Sequence, residues 1–112
     1  MSYGIFKYPL NMVIAALRET GIDLPRGARV VSAALIDGEA VLYALVDHQQ
    51  EARVRRRVAI VTTGEPIQPE FITWPCVGML VHGGMPNTLG AGFGAYVQHV
   101  LVEPEINRGG PA

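Results

Sequence analysis

The chain has 112 residues, 49% of them hydrophobic and 17% charged, with a formal net charge of −1. That is the length of one domain with enough apolar side chains for a core, which excludes a disordered tail. The charge balance excludes a polycation built for nucleic acid, so any such role must rest on a local patch.

Gly4 to Tyr8 alternates weakly and stops at Pro9, which predicts a short strand ended by a residue without an N–H. Asn11 to Thr20 reads as a short helix. Asn11 stands as its N-cap, Val13, Ala16 and Leu17 share a face, and Gly21 follows as a C-terminal glycine. Ile22 to Gly27, with its Leu24-Pro25 pair, reads as a turn into the next strand.

Ala28 to Thr63 then predicts three strands, the first two joined at Asp37-Gly38. Both positions of such a two-residue turn want positive φ, and Asp-Gly supplies it. The turn sets a register: Ile36 opposite Glu39, Ala34 opposite Val41, Ser32 opposite Tyr43 and Val30 opposite Leu45. One face collects Val31, Ala33, Leu35, Ala40, Leu42, Ala44 and Val46 and should be core. The other face is also mostly apolar, so the hairpin needs cover on both sides. A helix, the curled sheet or a second subunit could supply it.

Arg53 to Thr63 is the third of these strands. Val54, Val58 and Ile60 point one way, and Arg53, Arg55 and Arg57 the other. Arg56 falls on the apolar side, where extension could still bring it to water. Gly64-Glu65-Pro66 ends the strand, and Gln68 to Trp74 reads as loop or one helical turn. Cys76 to His82 predicts a further strand. Gly83 to Gly94 is a long glycine-rich loop, and Ala95 to Glu103 is the last strand. The expected fold is α+β: a mainly antiparallel, curled sheet of five or six strands with one short helix. It forms a single domain over residues 1–106, with 107–112 as a flexible tail.

The arginine row is the strongest signal beyond fold. Arg53, Arg55 and Arg57 along one strand face make a ridge that could hold carboxylates or phosphates bidentately. A solvated face that protects a strand edge is the plainer reading. No aromatic residues interleave with the arginines, which weakens a stacking platform for single strands. In the glycine loop, Gly90-Ala91-Gly92-Phe93-Gly94 has the wrong spacing for a dinucleotide fingerprint, and a strand follows it. Met85, Leu89 and Phe93 in that loop either tuck onto the sheet or touch a partner.

Nothing in the spacing of His48, His82 and His99 forces them together as metal ligands. Tyr43 and Tyr96 are strand residues, with packing as their default role. Ser2, Ser32 and Cys76 have no base nearby in sequence, and no paired carboxylates stand in a hydrolytic context. The expectation is a protein that is not an enzyme and uses no cofactor or metal. The single cysteine excludes Cys-rich zinc sites and fits a reducing compartment. There is no signal-peptide pattern and no apolar run of about 18 residues. A cytoplasmic protein is therefore expected.

Several segments together resemble a family of small uncharacterised proteins found in tailed phages and prophage-carrying bacteria. They are Phe6-Lys7-Tyr8-Pro9-Leu10, then Leu24-Pro25-Arg26-Gly27-Ala28-Arg29-Val30-Val31-Ser32, then Leu42 to Asp47, then Arg57 with Thr63-Gly64-Glu65-Pro66-Ile67. Val77-Gly78-Met79 and His99-Val100-Leu101 continue the pattern. The chain departs from it in a longer Asn11–Ile22 segment, a longer Gly83–Gly94 loop and a C-terminal extension. The resemblance implies a phage context, in the host cytoplasm, and no particular chemistry. The expected role is an accessory protein that binds another protein, such as a host or defence complex it inhibits. The contacts expected are Arg53, Arg55, Arg57, Met85, Leu89 and Phe93, facing a partner that could be acidic. Nucleic-acid binding through the arginine ridge and a homo-oligomeric assembly role are the alternatives. No membrane partner is expected.

Overall fold

The computed structural model describes residues 2–10, 19–82 and 96–105. They form a small domain of antiparallel strands in two sheets, with almost no helix. The strands are β1 (Tyr3–Pro9), β2 (Glu19–Pro25), β3 (Arg29–Ile36), β4 (Glu39–Asp47), β5 (Arg53–Thr62), β6 (Cys76–His82) and β7 (Tyr96–Val102). Sheet A has the order β1-β4-β3 and sheet B the order β2-β5-β7-β6. Seven strands in two sheets thus replace the five or six expected in one.

The β3–β4 hairpin forms as its turn dictates. Asp37 and Gly38 have φ of 49° and 80°, the left-handed pair such a turn requires. Ile36 faces Glu39, Ala34 faces Val41 and Ser32 faces Tyr43. The expected Val30–Leu45 pair does not form. A shift between Val30 and Ser32 pairs Val30 with Ala44 and Arg29 with Leu45. Val31 is the extra residue of this bulge, and bulges re-aim side chains. Val30 therefore packs on the core, while Val31, placed in the core by simple alternation, is 39% exposed.

Residues 11–18 of the expected helix lie outside the described residues. Glu19 and Thr20, however, belong to β2, and so does the Ile22–Pro25 stretch expected to be a turn. Gly21 and Pro25 misdirect the reading. β2 is an edge strand, and its Pro25 is the last residue, where a missing N–H breaks no ladder. Only Arg26-Gly27 makes the turn.

Leu42, Ala44 and Val46 of β4 pack against Ile22 and Leu24 of β2, Val58 and Ile60 of β5, Leu80 of β6, and Val100 and Val102 of β7. Sheet B is thus the cover for the inner face of the hairpin. The outer face of sheet B has its own apolar cover. A short 3-10 turn at Pro69–Phe71 lays Phe71 and Trp74 over Ala59 and Leu101. The sheets meet along β3 and β6, where Gly78 lies against the Ala33 backbone. A second bulge, between Cys76 and Gly78, adjoins this contact.

Arg56 is 7% exposed and does not extend to water, as its position on the apolar side had allowed. Its Nε donates to the Glu103 carbonyl at 3.0 Å and its Nη1 to the Ala28 carbonyl at 2.8 Å. Burial pushes the guanidinium below its usual range, while the nearby Glu105 and Glu103 carboxylates pull it back up. The residue is a crosslink between β5 and the chain entering β3 and leaving β7.

Candidate functional site

Alternation along β5 places Arg53, Arg55 and Arg57 on the face opposite Arg56, and each meets different surroundings. Arg55 pairs with Asp23 of β2, its cross-strand partner, at 3.4 Å, and both side chains are largely exposed. Arg57 makes a bidentate contact with Glu70, Nη1 to Oε2 and Nη2 to Oε1, each 3.2 Å. Its guanidinium also sits 5.2 Å from the Trp74 ring centroid and 5.8 Å from that of Phe71. Such a stack adds to the ion pair. Two of the three ridge arginines therefore already hold carboxylates of their own chain.

Arg53 differs. It is exposed, with no ion pair or hydrogen bond among the described residues. It borders a cleft of about 190 Å³ between the end of β2 and the edge of sheet A. Phe6 and Tyr8 of β1, Pro25, Val46, His48 and Gln50 line the rest. Phe6 and His48 meet edge to face, with centroids 6.2 Å apart at 65°. The cleft can take an apolar side chain and place a carboxylate beside Arg53. The sequence reading missed Phe6, Tyr8, His48 and Gln50 because they come to Arg53 from another sheet and a loop. The exposure of Phe6, at 43%, has no signal in a strand that alternates weakly.

Met85, Leu89 and Phe93 lie outside the described residues. The three histidines occupy separate places. His82 Nε2 lies 2.7 Å from Gln98 Oε1 on the inner face of sheet B, and Gln98 donates to Thr62 Oγ1 at 3.3 Å. His99 Nε2 lies 2.8 Å from Thr63 Oγ1 on the outer face. His48 stands beside Phe6. Among the described residues no group of three His, Cys, Asp or Glu could hold a metal ion. Cys76 is exposed and its Sγ contacts the Gly78 carbonyl at 3.6 Å, a group that cannot act as a base. Ser32 is half-buried opposite Tyr43. No helix among the described residues is long and apolar enough to cross a membrane.

These features define a small two-sheet antiparallel β domain with a basic-rimmed apolar cleft at one sheet edge. The chain belongs to the family described as Domain of unknown function (DUF7352), whose pattern matches residues 1–108. No curated protein and no solved structure matches it.

Proposed function

We propose that this protein acts by binding another protein, as a small non-enzymatic accessory factor of the phage type, with the Arg53 cleft as its contact. The observation that carries this reading is Arg53 itself. Among the described residues it is the one ridge arginine that holds no carboxylate, and it stands beside the exposed Phe6 ring. An acidic and apolar segment of a partner suits that pairing. Inhibition of a host or defence complex is the form of action that the phage resemblance suggests. The nucleic-acid alternative is weakened by Asp23 and Glu70, whose carboxylates would face the phosphates beside Arg55 and Arg57.

The test is affinity capture from the host lysate with wild type, Arg53→Glu, Phe6→Asp and Arg55→Glu. A specific protein retained by wild type and Arg55→Glu, and lost with the other two, supports the reading. Capture that survives both cleft variants moves the contact elsewhere. Binding to a DNA or RNA probe that weakens steeply with added salt would replace it with the nucleic-acid alternative.

A further inference from the structure

β1 is one of the two edge strands of sheet A, the other being β3, and it pairs only with β4 among the described residues. Its ladder runs without a shift from Tyr3↔Asp47 to Pro9↔Val41. Hydrogen bonds at the two ends fix which residues aim at β4: the His48 N–H donates to the Ser2 carbonyl, and the Leu10 N–H to the Ala40 carbonyl. In an antiparallel ladder this alternates, so Ser2, Gly4, Phe6, Tyr8 and Leu10 spend their backbone groups on β4. Ile5 and Lys7 turn theirs to the open edge. Edge strands are usually defended by charge, proline, bulges or shortness. β1 has seven residues, one lysine, no bulge, and proline only at its last position. Ile5 on it is 61% exposed.

We infer that a second copy of the chain pairs with β1, antiparallel and edge to edge, about a twofold axis at Ile5. The choice of a second copy rests on the charge and side-chain pattern this register creates. The outer face of sheet A would carry one central row, Leu45 and Ile5 of one protomer followed by the partner's Ile5 and the partner's Leu45. The rows to either side read Asp47, Tyr3, the partner's Lys7 and the partner's Tyr43. Each lysine then lies two strands from an aspartate, about 10 Å between Cα atoms at ordinary strand spacing, with an aromatic ring between them. A lysine side chain spans that distance, and the ring adds a cation–π contact. Shifting the axis to Phe6 sets the partner's Lys7 against Ile5 and Leu45, and sets a proline without an N–H against Tyr3. The axis at Ile5 matches both charge and hydrogen-bonding capacity. It makes a six-stranded sheet and an isologous dimer. This inference does not depend on the Arg53 cleft: a dimer that captures no other protein leaves it standing.

Light scattering on the eluting wild-type chain is expected to give twice the 12.1 kDa chain mass. Ile5→Arg should give the single-chain mass while keeping the circular-dichroism spectrum of the folded chain, because Ile5 is exposed in the protomer. Its melting temperature should lose the concentration dependence that a dimer confers. Lys7→Glu should weaken the dimer, and Lys7→Glu with Asp47→Lys should restore it. In a Cys76→Ser background, Ile5→Cys should oxidise to a crosslinked dimer, since facing residues of a hydrogen-bonded pair stand about 5.5 Å apart, within disulfide reach. A wild type that stays monomeric at every concentration overturns the inference. So does a dimer that survives Ile5→Arg, or one in which the Ile5→Cys chains do not crosslink.

Discussion

Gly78 and Ala33 meet backbone to backbone where β6 crosses β3. A Cβ on Gly78 would lie 2.8 Å from the Ala33 nitrogen and 3.0 Å from its oxygen. Neither atom can swing aside as a side chain could, so one sheet must shift against the other. Gly78→Ala is expected to lower stability by about 1–3 kcal/mol, the usual cost of overpacking. Urea unfolding followed by circular dichroism reads it. A midpoint equal to wild type would mean that the sheets are not locked at this point.

Gly38→Ala should also destabilise, for a different reason. Nothing lies near a Cβ at this position, but φ is +80°. The cost is local backbone strain of about 1–2 kcal/mol. Asp37→Asn keeps a residue suited to its own positive φ and should leave the midpoint within about 0.5 kcal/mol. The pair of measurements separates strain from crowding.

Arg56→Met removes a buried charge but cannot remove its acceptors, which are the backbone carbonyls of Ala28 and Glu103. Replacing both members of a buried polar pair can be neutral, whereas orphaning one costs about 1–3 kcal/mol. A loss of that size is expected in chemical denaturation. Arg56→Lys should recover part of it, since an ammonium can reach one carbonyl. Stability of Arg56→Met equal to wild type would show that water replaces the guanidinium.

Arg57 and Arg55 look alike in sequence and should behave differently. Arg55→Ala breaks an exposed pair with Asp23 and should change stability by less than about 1 kcal/mol. Arg57→Ala removes both the bidentate Glu70 contact and the stack on Trp74, so it should cost more, about 1–2 kcal/mol. Trp74 is the sole tryptophan, so its emission should shift in Arg57→Ala and stay put in Arg55→Ala. Equal emission in both variants would remove the stack from the account.

The local elements were legible in the sequence. Asp37-Gly38, period-two alternation and bracketing prolines mark β3, β4, β5 and β6, and the β6 bounds agree with the expected Cys76–His82. The single turn near Gln68–Trp74 is there as Pro69–Phe71. β2 was hidden because its glycine and proline mimic helix and turn punctuation, and only pairing with β5 makes them a strand. The Val31 bulge was hidden because strict alternation has no place for an extra residue. In the candidate site the sequence supplied the arginines and their shared face. It could not supply Asp23, Glu70 or Phe6, which lie 32, 13 and 47 positions from Arg55, Arg57 and Arg53 respectively.

By itself, then, the sequence determined what chain-local physics controls: the hairpin, its register near the turn, and which face of β5 bears Arg53, Arg55 and Arg57. The tertiary structure decided what those arginines are. Packing brought carboxylates to two of them and an apolar cleft to the third, and it sealed the opposed Arg56 with two backbone carbonyls. It also split the strands into two sheets, closing the β3–β6 side and leaving β1 as an edge. Those outcomes depend on contacts between residues far apart in the chain, and no spacing along one strand encodes its neighbour.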